Sequence, residues 1–226
     1  MTEPSLNAYL AERSDDPAIR LLAETTADVR AAPDYLAGAE DRAGGAFLAE
    51  EAPAALAADA LDRVLARIEA AGAQDGRAAQ AAEGGDPITT EIAGLPAPVR
   101  EAALKALERD RWRLGGPGIR RLPLGLGSTH CELMRIEPGR GASDHDHAGD
   151  ELTLVLRGSY FDGHASYGPG DVSLAREGFV HAPTANPGEV CYVLAVTFGP
   201  PRFKGLIGVV QKLTGFPWAP KPAARG

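Results

Sequence analysis

The chain has 226 residues, 44% of them hydrophobic and 24% charged, with a formal net charge of −8. That composition excludes a mainly disordered or collagen-like chain and leaves room for one large domain or two small ones. The acidity is concentrated: residues 1–76 carry 6 Arg, no Lys and 15 Asp/Glu, a net −9, against 17 basic and 16 acidic residues in 77–226, a net +1. An acidic third repels phosphate backbones, so the expectation is no direct nucleic-acid contact there, and a basic protein partner or a solvated surface instead.

The first elements read as helices. Leu6, Tyr9 and Leu10 make a short apolar stripe, and Asp15, Asp16 and Pro17 form a helix-start signal. Ile19, Leu22 and Ala23 continue with helical spacing, and Phe47 and Leu48 suit another helix. Leu56, Ala60, Leu61, Val64, Leu65 and Ile68 recur every three or four residues, the clearest amphipathic pattern in the chain. Residues 71–95 open with a stretch of Ala, Gly and polar residues that holds no large apolar side chain before Ile88, the composition of a flexible linker. From Pro96 to Trp112 one more helix is expected, with Val99, Leu104 and Leu107 inward.

At Gly115 the pattern changes. Alanine supplies 31 of its 41 residues before position 107, and afterwards short alternating runs are punctuated by Gly and Pro. That spacing predicts an antiparallel sandwich or barrel. A last helix is expected from Lys204 to Leu213. The fold class is therefore α+β: an all-α N-terminal domain (1–70), a linker (71–95) and an antiparallel β-barrel or jelly roll with flanking helices (96–226).

Two cysteines, Cys131 and Cys191, cannot build a disulfide framework, and the chain has no CxxC. The opening residues show neither a basic n-region nor an apolar h-region, and the longest apolar runs, such as LTLVL and YVLAV, fall far short of a membrane span. A cytoplasmic protein with reduced thiols and no membrane partner is the expectation.

The chemistry-bearing residues lie between Gly139 and His181. His145 and His147 are two apart on an expected strand, so their imidazoles share a face. Glu151 opens the next strand and faces the same interior as Thr153 and Val155. His181 follows in EGFVHAPTAN. Three imidazoles and one carboxylate suit a divalent transition metal, with binding that weakens as histidines protonate below about pH 6.5.

Gly139-x5-His145-x-His147-x3-Glu151-x6-Gly158 resembles the first cupin motif at every named position. The second motif is matched at Gly170, Gly178 and His181, with Arg176 in the proline position and the asparagine one residue late, at Asn186. DHDHAGDELTLVLRGSYFD, YGPGD and His181-Ala182-Pro183 further resemble the C-terminal cupin of ChrR-type anti-sigma factors. In the N-terminal third, Leu6-Asn7-Ala8-Tyr9 and GGAFLAEEAPAALAADALDRVLARIE resemble that family's helical anti-sigma domain. The resemblance implies a regulatory protein whose N-terminal helices bind an extracytoplasmic-function sigma factor. It also implies a cupin that senses an oxidant or small molecule through a metal held by His145, His147, Glu151 and His181. Zinc is the expected ion, one per chain, with Fe2+, Mn2+ or Ni2+ as alternatives, and a homodimer through the cupin is left open. A dioxygenase-like cupin metalloenzyme, or a metal-binding cupin without turnover, is the alternative function.

The family's N-terminal zinc motif, His-x3-Cys-x2-Cys, aligns with Thr26, Arg30 and Pro33, none of which can ligate zinc. That domain is expected to fold by apolar packing alone, with the stripe Leu61, Val64, Leu65 and Ile68 offered to the sigma factor. His164 is expected to be exposed in a hairpin turn, Cys191 to be a buried thiol, and Met134 and Phe161 to line the barrel mouth.

Overall fold

A computed structural model describes residues 3–32, 87–127 and 129–205 of the chain. The expected helices around Phe47 and over Leu56–Ile68, the expected helix Lys204–Leu213 beyond Gly205, the stretch 71–86 and Pro33 lie outside the described residues. Two compact units divide the rest: helices α1 (Glu3–Glu12), α2 (Pro17–Ala31) and α4 (Ala97–Leu107) share one with all the strands, and α3 (Pro87–Ala93) belongs to the other. Helix α2 buries Ile19, Leu21, Leu22, Thr25, Thr26 and Val29 and packs on β10 and β5 of the sheet.

The helix ends follow their capping residues. Asp16 is the N-cap of α2, its Oδ1 accepting the Ala18 N–H at 2.8 Å, and Pro17 takes the first helical position, where no N–H is needed. Helix α3 occupies part of the segment whose composition suggested a linker; Pro87 begins it and the Gly94 N–H donates to Glu91 O. In α4 the buried face is Val99, Ala103 and Ala106, whereas Leu104 is 46% exposed, against the expected inward Leu104. Two alanines on the inward face let α4 pack closely on α2 and β2.

Eleven strands follow among the described residues: β1 (Arg113–Gly116), β2 (Ile119–Pro123), β3 (His130–Ile136), β4 (His145–His147), β5 (Glu151–Arg157), β6 (Tyr160–Phe161), β7 (Ser166–Tyr167), β8 (Val172–Ala175), β9 (Thr184–Ala185), β10 (Cys191–Thr197) and β11 (Pro201–Phe203). An antiparallel six-stranded sheet runs β1-β2-β3-β10-β5-β8; β11 pairs with β4, and β7-β6-β9 form a small third sheet. The described sheets do not close into one continuous barrel, and the arrangement is a cupin-like jelly roll.

All seven residues of β10 are buried, because the large sheet is covered on both faces. Register puts Leu122, Leu133, Leu194 and Leu154 in one row, all fully buried, on the face that helix α2 covers at β10 and β5. The opposite face carries Ile119, Ile136, Val155, Cys191 and Val193, which form an inner core with Tyr160 and Ala185. The site lies on that inner face. Gly158 ends β5 at φ +71°, and a Cβ there would meet Val190 O at 2.6 Å, so the first motif closes on a residue that only glycine fills.

Candidate metal centre

Strand β4 brings His145 and His147 to the inner face, β5 brings Glu151, and the loop before β9 brings His181. His145 and His181 form an isolated antiparallel bridge in which each N–H donates to the other's carbonyl, at 3.1 and 2.9 Å. The His181 Nε2 lies 3.1 Å from His145 Nε2 and 3.3 Å from His147 Nε2, and His147 Nε2 lies 2.8 Å from Glu151 Oε2. One donor atom from each of the four side chains falls within 4.8 Å of the others.

The donor set fits a divalent cation. Nitrogens on a tetrahedron around zinc, with arms of about 2.0–2.1 Å, stand about 3.3–3.4 Å apart, close to the spacings found. His145 Nδ1 lies 2.8 Å from Ser143 O and donates to it in the neutral tautomer, which leaves the Nε2 lone pair facing the cluster. Burial, reinforced by neighbouring His181, pushes the His145 pKa down to about 4, and burial likewise lowers that of His181. Burial alone would raise the Glu151 carboxyl, but the hydrogen bond from His147 and the three imidazoles outweigh it and bring it down to about 2. Two neutral imidazoles and an ionised carboxylate are what a cation requires. Glu151 is itself oriented: Thr153 Oγ1 donates to Oε1 at 2.9 Å and Thr197 Oγ1 to Oε2 at 3.5 Å.

The cluster opens on a cavity of about 80 Å³ whose lining includes Met134, Ile136, Val193 and Phe203. Met134 lines it as expected, whereas Phe161 is 44% exposed and is absent from the lining. Arg121 also reaches the cavity, and its Nη1 donates to both carboxylate oxygens of buried Glu132, at 3.1 and 3.0 Å. His164 is exposed, and Cys131 and Cys191 are buried free thiols with raised pKa values, Cys191 up to about 12 by burial.

The sequence did not announce the residues that brace the site. Thr197 reaches Glu151 only because β10 pairs with β5 in the register Thr197↔Glu151, a relation no local pattern carries. The two departures in the second motif keep partners: Arg176 Nη1 donates to Asp150 Oδ2 at 3.0 Å, and Asn186 Nδ2 donates to Ser159 Oγ at 2.9 Å.

A jelly roll with three imidazoles and one carboxylate converging inside it is a cupin. The family model described as the ChrR cupin-like domain matches residues 100–200. The anti-sigma-E factor ChrR of Cereibacter sphaeroides is 38% identical over 173 residues, which cover 76% of this chain and 76% of that protein. The chain belongs to the family of ChrR-type anti-sigma factors. Among solved structures, Rhodobacter sphaeroides SigE in complex with the anti-sigma ChrR matches at 32% identity over 87% of this chain and 97% of that one, with a TM-score of 0.49. An RmlC-like cupin protein from Ralstonia eutropha matches at 14% identity over 43% of this chain and 68% of that one, with a TM-score of 0.39.

Proposed function

We propose that this chain is an anti-sigma factor of the cytoplasm whose cupin holds one zinc ion on His145, His147, Glu151 and His181 and senses an oxidant or small molecule. The similarity to the anti-sigma-E factor of Cereibacter sphaeroides, extending well beyond the cupin, carries the regulatory half of this reading. The convergence of four donor atoms carries the metal half. Zinc is preferred because three imidazoles and a carboxylate suit a borderline ion that needs no redox partner. With both thiols buried and held protonated, an oxidant response falls to the metal centre and its imidazoles rather than to cysteine chemistry.

In this reading the N-terminal region, residues 1–70, meets an extracytoplasmic-function sigma factor. Helices α1 and α2 bury their apolar faces, so the stripe Leu61, Val64, Leu65 and Ile68 is assigned to the partner. The net −9 of residues 1–76 would speed association with a basic sigma factor and make it salt-sensitive.

The test is direct binding of the full chain to extracytoplasmic-function sigma factors of its own organism, with inhibition of the transcription they drive. Nanomolar binding that slows with salt and is lost in Leu65→Asp, with circular dichroism unchanged, supports the reading. A folded, metal-loaded chain that binds none of them overturns it.

A further inference from the structure

The turn that joins two of the candidate ligands is gripped from outside the cupin. Residues Ala148, Gly149 and Asp150 connect His147 at the end of β4 to Glu151 at the start of β5. Three groups converge on the Asp150 carboxylate. Tyr9 of α1 donates from its hydroxyl to Oδ2 at 3.0 Å, Arg176 Nη1 donates to the same oxygen at 3.0 Å, and the Glu177 N–H donates to Oδ1 at 3.2 Å. The Tyr9 ring is 5% exposed, with the Arg13 guanidinium 3.8 Å from its centroid and that of Arg176 at 5.2 Å. Charge and aromatic face thus bind α1, the turn and the loop before His181 into one cluster.

The turn has no slack on its other side. The Phe198 N–H donates to Asp150 O at 2.9 Å, and the Ala148 N–H donates to Pro200 O at 3.1 Å. A Cβ on Gly199 would lie 2.6 Å from the Gly149 nitrogen, so the two backbones touch. A shift of Asp150 is therefore carried into its neighbour Glu151, because neither the backbone contact nor the hydrogen bonds can absorb it.

We propose that Asp150 is a positioning residue that couples helix α1 to the metal centre, so that α1 docks more firmly when the ion is bound and the ion binds more tightly when α1 is docked. This rests on the metal reading above. Coupling of this kind is reciprocal: the factor by which docking raises metal affinity equals the factor by which metal raises docking. It gives the cupin a physical route for changing the N-terminal helices. Loss of the ion frees Glu151 and His147, loosens the turn between them, and weakens the Tyr9 contact.

The experiment uses the full chain and zinc alone. Calorimetry measures zinc affinity of the native chain and of Tyr9→Phe, and hydrogen exchange of residues 3–12 is followed with and without zinc. The coupling predicts that zinc slows exchange of α1 about fivefold or more in the native chain, that Tyr9→Phe binds zinc about tenfold more weakly, and that zinc no longer protects α1 in the variant. A contact that only stabilised the fold would let zinc slow α1 exchange no further than it raises global stability, and equally in the native chain and in Tyr9→Phe. A native chain that binds zinc with unchanged α1 exchange, or a folded Tyr9→Phe with native zinc affinity, overturns the coupling alone. A native chain that binds no zinc overturns the metal reading and the coupling together.

Discussion

His145 and His181 stand 36 residues apart in the chain yet form a reciprocal backbone pair, and their Nε2 atoms meet at 3.1 Å. The pairing places two imidazoles by main-chain hydrogen bonds rather than by side-chain packing, which preorganises the site before any ion arrives. Replacing either ring should therefore cost affinity without cost to the fold. His181→Ala is expected to lose more than about 100-fold in zinc affinity by calorimetry while keeping its far-ultraviolet circular dichroism.

Zinc should stabilise the native chain by mass action. At a free concentration about 100 times its Kd, it is expected to add about 2.7 kcal/mol and to raise Tm by about 5–10 °C. A chelator should reverse the shift, and His181→Ala should show none.

The pH dependence of the metal-free chain has a defined sign. His145 titrates near 4 in the fold and near 6.5 when unfolded, so between those values only the unfolded chain takes up its proton. Stability from this group is complete above about pH 6.5 and is lost as pH falls toward 4, by on the order of 3 kcal/mol. Glu151, brought down to about 2, loses its contribution lower still, between about 4.5 and 2. Urea unfolding at pH 7, 5.5 and 4.5 should show this decline, and His145→Asn should flatten its upper part. Zinc binding should also persist below the expected onset at pH 6.5, because burial keeps His145 and His181 neutral there.

Arg121 and Glu132 form a buried ion pair on the inner face, each 6% exposed, and burial raises the Glu132 pKa against the pull of Arg121. Removing Glu132 takes away the carboxylate that compensates the buried Arg121 charge. Glu132→Ala is expected to destabilise the chain by about 3–5 kcal/mol, and the double change Arg121→Met with Glu132→Leu should recover most of that loss in chemical denaturation.

Gly199 is the tightest point behind the ligand turn, where a Cβ would meet Ala148 C at 2.6 Å. Gly199→Ala is expected to displace the turn, cost about 1–3 kcal/mol and weaken zinc binding at least tenfold. Gly163→Ala, where nothing lies within 4 Å of the new Cβ but φ is +96°, should cost stability without touching zinc affinity.

What the sequence revealed follows the range of the interactions. The helix start at Asp15-Asp16-Pro17 is written in neighbouring residues, and α2 begins there. The motif from Gly139 to Gly158 encodes a turn and two strands, so His145, His147 and Glu151 were legible by spacing. His181 was legible through the second motif despite Arg176 and Asn186. Leu104 was misread because helical periodicity marks two candidate faces, and small Ala103 and Ala106 won the inward one. The packing of α2 on β10 and β5, the Thr197 support for Glu151 and the Tyr9 grip on Asp150 depend on tertiary register, which local pattern does not carry.

The proposed function stands on a single metal centre of His145, His147, Glu151 and His181. X-ray absorption at the zinc edge, on the full chain loaded to saturation, reads its ligand shell. One ion per chain is expected, with three nitrogens and at least one oxygen at about 2.0–2.2 Å and no sulfur. A second ion, a sulfur shell near 2.3 Å, or no stoichiometric uptake would contradict it.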